Sequence, residues 1–141
     1  MEVTQCINFL LTRAQHSVLS YFRSRLDEYD VTPVQYGILS CLWCKDGQTA
    51  TEIAQRICLD GSTITGILDR MENKGLLERQ SDPNDRRAIR VVLSDKGRQL
   101  EKPLGEVVKA SNQRVLDIFT KEEQELFVES LKRVADNISK W

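Results

Sequence analysis

The chain has 141 residues, 40% hydrophobic and 29% charged, the composition of one soluble globular domain with or without an added oligomerisation element. No apolar run approaches the roughly 20 residues a membrane-spanning helix needs, and the N-terminus carries no signal-peptide core, so the expectation is a cytoplasmic protein without a membrane partner. The net charge of −1 argues weakly against nucleic acid, but its distribution argues the other way: residues 61–98 hold eight Lys/Arg against six Asp/Glu, while both flanking blocks are net acidic.

Residues 4–29 read as one long helix. Ile7, Leu10, Leu11, Ala14, Val18, Phe22 and Leu26 recur at three and four, a broad apolar stripe. No upstream element can cover that stripe, so its cover is expected from the C-terminal helices of the same chain or of a second one. Thr32-Pro33-Val34-Gln35 opens a second helix, with Thr at the N-cap, Pro at the first helical position and Gln completing a capping box. It runs to Cys44 and carries Ile38, Leu39, Leu42 and Trp43, and Lys45-Asp46-Gly47 closes it.

Thr49 and Glu52 have the capping-box spacing and start a short helix over 50–58 that buries Ile53, Ala54 and Ile57. Leu59-Asp60-Gly61 interrupts it, and Asp60 is the N-cap expected for the next helix. That helix buries Ile64, Ile67, Leu68 and Met71 and exposes Ser62, Thr63 and Thr65 in its first turn. Gly75 ends it, where a left-handed turn is expected. Two short helices joined by a tight turn form a helix-turn-helix, whose second helix can enter a DNA major groove. The same pair would also serve in an ordinary helical hairpin of an all-α core.

The next segment decides between these readings. Leu77 and Arg79, then Ile89, Val91 and Leu93, alternate as the two strands of a half-buried hairpin. Between them, Ser81-Asp82-Pro83-Asn84-Asp85-Arg86-Arg87 is rich in turn formers. A tip with two adjacent arginines is a poor core element and a good probe of phosphate or minor groove. Its alternative is a solvated loop in which Asp82 and Asp85 neutralise the arginine pair. Ser94 then caps a fifth helix, with Leu100, Leu104, Val107, Val108 and Val115 along one face and a kink expected near Glu101-Lys102, ahead of Pro103. Thr120 and Glu123 form another capping box. The last helix is expected to bury Leu126, Phe127, Leu131, Val134 and Ile138.

The run from Leu59 to Arg79, with Asp82-Pro83-Asn84-Asp85-Arg86-Arg87-Ala88, Leu93-Ser94-Asp95-Lys96-Gly97 and Thr32-Pro33-Val34-Gln35-Tyr36, resembles the MarR family of winged-helix transcription regulators. The resemblance covers nearly the whole chain. It implies a mainly α fold with a small β-hairpin wing, a winged helix-turn-helix over 31–94, and helical dimerisation segments over 1–30 and 95–141. Twofold symmetry would place two recognition helices about one helical turn of DNA apart, or a multiple, on a pseudo-palindromic operator. Gly66 departs from the pattern, since many members carry a long or charged residue there. The operator of a relative therefore cannot be transferred.

Ser62, Thr63 and Thr65 are the candidates for major-groove and phosphate contact, with helix capping as the competing role for Ser62 and Thr63. Arg70, further along the same helix, is placed at phosphate or in an ion pair with neighbouring acids. By the resemblance, Arg87 matches the wing arginine that enters the minor groove, Asp85 the acid that orients it, and Arg86 assists at phosphate. The resemblance also implies a pocket for small aromatic or phenolic acids, to which Arg13, His16, Tyr36 and Trp43 could contribute as readily as to core or surface.

Cys6, Cys41, Cys44 and Cys58 read by default as free thiols. Cys41 and Cys44 have redox-motif spacing but sit in mid-helix, away from the helix N-terminus that stabilises a thiolate. Peroxide-sensing members of the family keep a cysteine near the start of the first helix. Cys6 lies about two residues before that place, and Thr12 stands where a partner tyrosine would be sought. One histidine and no clustered ligand set argue against a metal, a cofactor or a catalytic centre. The sequence reading is a dimeric, ligand-released DNA-binding regulator, a repressor and not an enzyme. The alternatives are an oxidant sensor acting through Cys6 and a winged helix used as a protein-interaction module.

Overall fold

The computed structural model describes residues 1–141 and is mainly helical with one small sheet. α1 (Ile7–Leu26) is flanked by single 3-10 turns at Val3–Gln5 and Asp27–Tyr29, and α2 spans Pro33–Cys44. β1 (Gln48–Thr49) leads directly into α3 (Ala50–Arg56), followed by α4 (Gly61–Asn73), β2 (Leu77–Asp82) and β3 (Asp85–Leu93). α5 (Asp95–Gln99), α6 (Glu101–Leu116) and α7 (Lys121–Ile138) complete the chain.

Local hydrogen bonding sets the helix starts. At α2 and α7 both halves of the capping box form, between Thr32 and Gln35 and between Thr120 and Glu123. At α3 only half forms: the Thr49 hydroxyl accepts the Glu52 N–H at 3.2 Å, and no reciprocal bond from the Glu52 side chain is made. α3 is also shorter than expected, because Cys58 turns left-handed at φ 58°. Gly75, at φ 75°, lets the Leu76 N–H return to the Met71 carbonyl at 3.1 Å and end α4.

The sheet is three-stranded and antiparallel, in the order β1-β3-β2, where the sequence reading expected two strands. β1 pairs Gln48 with Val91 and Thr49 with Arg90. Two residues are too few to show a periodicity. The wing strands also run further than expected. Their pairing reaches Asp82 opposite Asp85, with an irregularity between Ser81 and Asp82, and leaves only Pro83 and Asn84 as the turn. Leu77, Val91 and Leu93 face the core, but Ile89 lies beyond its edge and is 53% exposed.

Leu26, Val31, Ile38, Leu39, Leu42, Ile53, Ile64, Leu68, Met71, Leu76, Leu77, Val91 and Leu104 form one contiguous buried cluster. Full burial of each large apolar side chain contributes about 1.5–3 kcal/mol. Trp43 closes one side of the cluster by donating its indole N–H to the Gly97 carbonyl at 2.9 Å. Pro103 does not kink a continuous helix. The chain breaks at Leu100, which ends α5 and starts α6, so Pro103 falls in the first turn of α6, where its missing N–H is tolerated.

Along α1 only the final residue, Leu26, is buried in the core; the apolar face ahead of it is half-buried or exposed, and Ile7 is 66% exposed. α7 buries no residue at all, contrary to the expected buried side: Leu126, Leu131, Val134 and Ile138 are exposed. Periodicity identified the apolar side correctly but could not say whether this chain covers it.

Candidate nucleic-acid interface

α4 begins at Asp60, whose Oδ1 accepts the Thr63 N–H at 2.7 Å and the Ser62 hydroxyl at 2.8 Å. Hydrogen bonding from Thr63 first, then from Ser62, holds the Asp60 carboxyl below the usual carboxylate range. The N-cap is thus Asp60, and neither Ser62 nor Thr63 fills that role. Thr65 bonds the Gly61 carbonyl at 3.3 Å. Ser62, Thr63 and Thr65 are all exposed, while Ile64, Ile67, Leu68 and Met71 anchor the opposite face. The result is a rigid helix whose first turn presents small hydroxyl groups, which permit close approach and can bond phosphate or base edges.

The cations of residues 61–98 sort into two groups. Five are engaged within the protein. Arg79 pairs with Asp69 and Glu72, which fastens the last turn of α4 to the start of β2. Arg90 pairs with Asp82, and Arg98 with Asp95 and Asp46. Lys96 donates to the Lys74 carbonyl at 3.0 Å. Lys74 reaches the Asp30 carbonyl at 2.7 Å and the Gln35 Oε1 at 3.0 Å. The other three, Arg70, Arg86 and Arg87, are exposed, and their guanidinium groups have no carboxylate or carbonyl partner. The ion pair expected as an alternative for Arg70 does not form, because Arg79 takes the neighbouring acids. The neutralised wing tip does not form either, because Asp82 turns to Arg90.

Asp85 holds the wing in a way the sequence did not suggest. Its Oδ1 accepts the backbone N–H of Arg87 at 3.0 Å and makes no ion pair with the Arg87 guanidinium. It therefore sets the backbone from which Arg87 projects, not the direction of the side chain. The pairing that sequence reasoning missed is Arg90 with Asp82. These two residues lie eight apart in the chain, and only the hairpin register brings them together.

Arg13 and His16 are exposed on α1. Tyr36 and Trp43 meet edge-on, with ring centroids 5.9 Å apart. None of the four lines the apolar hollow of about 350 Å³ between α1, α6 and α7, which is walled by Leu11, Val18, Phe22, Val115, Phe127 and Leu131. Cys6 is the N-cap residue of α1 and half-buried, Cys41 is buried, and Cys44 and Cys58 are exposed; all four are free thiols. No group of three or more metal-ligating side chains occurs, and no helix is long and apolar enough to cross a membrane.

Comparison with known proteins places this geometry. The sequence profile of the MarR family matches residues 31–89, which run from just ahead of α2 into the second wing strand. The uncharacterized HTH-type transcriptional regulator YsmB of Bacillus subtilis is 34% identical over 115 residues, 79% of this chain and 77% of that protein. The structure of the transcriptional repressor CouR bound to a 23-mer DNA duplex superposes with a TM-score of 0.88 at 27% identity, covering 95% of each chain. The PcaV transcriptional regulator of Streptomyces coelicolor, in complex with its natural ligand, superposes with a TM-score of 0.85 at 27% identity, covering 98% of this chain and 97% of that one.

Proposed function

The chain belongs to the MarR family of DNA-binding transcriptional regulators, and on that premise we propose that it is a cytoplasmic homodimeric repressor, not an enzyme, that holds a pseudo-palindromic operator until a small aromatic ligand releases it. The observation that carries the reading is the state of three arginines. Arg70, on the helix whose first turn exposes the hydroxyls, and Arg86 and Arg87, at the wing tip, stand exposed and unpaired in a segment whose other cations are all engaged. Free guanidinium groups on a rigid frame suit phosphate and the negative potential of a narrow minor groove.

Residues 31–94 supply the reading head, and residues 1–30 with 95–141 supply the partner surface. The apolar faces of α1 and α7 support the dimer, because their own chain covers them only in part and leaves Ile7, Leu10, Leu11, Leu126, Leu131, Val134 and Ile138 exposed. The twofold axis then sets the two copies of α4 about one turn of B-form DNA apart, or a multiple. Release by a ligand draws support from PcaV, a relative solved with its natural ligand. A ligand acts here only through different affinities for two spacings of the recognition helices.

The test is fluorescence anisotropy on duplexes from the chain's own promoter region across a salt series, with sedimentation to fix stoichiometry. One dimer per duplex is expected, with an affinity that falls steeply as salt rises through counterion release. A stable monomer, or no binding at low ionic strength, overturns the reading. Weak binding that ignores salt points instead to a winged helix used for protein contacts.

A further inference from the structure

Asp82 is the one acid of the wing that is buried, at 8% exposure, and both of its carboxylate oxygens are used. Oδ1 accepts the Asn84 N–H at 2.8 Å and so holds the two-residue turn. Oδ2 accepts Nε of Arg90 at 2.7 Å. The same guanidinium donates Nη1 to the Gly47 carbonyl at 2.9 Å, on the segment entering β1. Gly47 in turn donates its N–H to the Val91 carbonyl at 3.1 Å, and two residues later Thr49 caps α3. A run of polar contacts therefore links the wing turn to Gly47, two residues ahead of the cap of the first helix of the helix-turn-helix. A two-stranded ribbon is marginal when left to itself, and β1 adds only two paired residues to it.

We propose that Arg90, acting through Asp82, is a positioning residue for operator recognition. It fixes the Arg86–Arg87 tip at a set distance from α4 without touching the duplex. Its charge is neutralised by Asp82, and two of its donor nitrogens are already used inside the protein. The inference rests on the DNA-binding reading above and adds to it what sets the span between groove contacts.

Asp82→Asn separates this role from simple electrostatics, because the two give opposite signs. An amide has one acceptor oxygen where the carboxylate has two, so it cannot serve Asn84 and Arg90 in the present geometry. Removal of a negative charge beside DNA would by itself tighten binding. Loss of positioning weakens it, by about tenfold, within the range for residues that share one network. Arg90→Met is expected to weaken binding by a similar factor, and the double variant by no more than either single one. Arg90→Lys keeps the charge but cannot span both acceptors, and falls between. In an Arg86→Ala/Arg87→Ala background, Asp82→Asn is expected to lose its effect, because there is no longer a tip to position. Thermal unfolding run alongside confirms that each variant is folded, and Arg90→Lys serves as the readout if Arg90→Met is not. Tighter or unchanged binding by Asp82→Asn, or a full effect in the background without the two tip arginines, overturns the proposal. If the wild-type chain binds no duplex, it is the DNA-binding reading that fails.

Discussion

Gly97→Ala is a substitution for which sequence and structure give opposite signs. Gly97 lies in α5, and helix propensity alone makes alanine there more stable by about 0.5–1 kcal/mol. The structure leaves no room for the methyl group. A Cβ at this position would overlap the carbonyl oxygen of Leu76 and come within 3.1 Å of the Leu93 Cδ2. The obstacle is backbone, so α5 has to move away as a unit. That movement loosens the bond from the Ser94 N–H to the Leu76 carbonyl, now 3.1 Å, and the bond from the Trp43 indole to the Gly97 carbonyl, now 2.9 Å. Overpacking costs about 1–3 kcal/mol and each of the two weakened hydrogen bonds about 0.5–1.5, so the net loss is about 1–5 kcal/mol once the propensity gain is subtracted. Gly66→Ala is the control. Its Cβ meets only the Arg70 Nη1, at 3.8 Å, an ordinary contact, so the propensity gain of about 0.5–1 kcal/mol should survive. Urea unfolding of both variants, at one protein concentration and without DNA, gives the comparison. If Gly97→Ala equals or exceeds the wild type in stability, the packing argument is wrong.

Arg87→Ala should leave unfolding unchanged, since its guanidinium has no partner in the protein, while operator affinity falls and the salt slope shrinks by about one for each phosphate no longer neutralised. Identical affinity and slope would remove Arg87 from the interface. The carboxyls of Asp60, Glu72, Asp82 and Glu123 are all held below their ordinary range by hydrogen bonds. Their contribution is complete above the unfolded values near pH 4 and is lost as pH falls through the depressed ones, so the urea midpoint should stay level from pH 7 to about 5 and drop below about 4. A drop that begins near neutrality would point to other groups. Leu131→Glu puts a charge on the exposed apolar seam of α7 and should shift sedimentation from dimer to monomer; a dimer that persists places the interface elsewhere. If a ligand alone releases the operator, dilute peroxide should leave operator binding of wild type and Cys6→Ser alike, whereas a loss that depends on Cys6 would favour the oxidant-sensing alternative.

Helix starts were the most legible part of the chain, because a cap is a contact across three residues. Thr32, Thr49, Asp60, Ser94 and Thr120 each accept the backbone N–H expected of them. The hydroxyl turn of α4 and the arginine tip were legible for the same local reason. Features decided by distant chain were not. β1 became a strand only because β3 lies beside it. Asp82 sits close to Arg86 and Arg87 in sequence, yet the hairpin carries it to Arg90 and leaves those two free. The exposed face of α7 escaped as well, since a stripe of leucines and valines looks the same whichever chain covers it.

Lys74 ties together parts of the fold that are far apart in sequence. It follows the last residue of α4, and its ammonium group grips both the turn that ends α1 and the buried Gln35 at the head of α2. The helix that would read DNA is thereby tied, through the turn after α1, to the long helix proposed for the subunit contact. A tilt of α1 against its partner would swing α4 like the jaw of a pair of pliers, worked from the handles. A small molecule lodged far from the duplex could therefore loosen the grip without displacing one DNA contact directly.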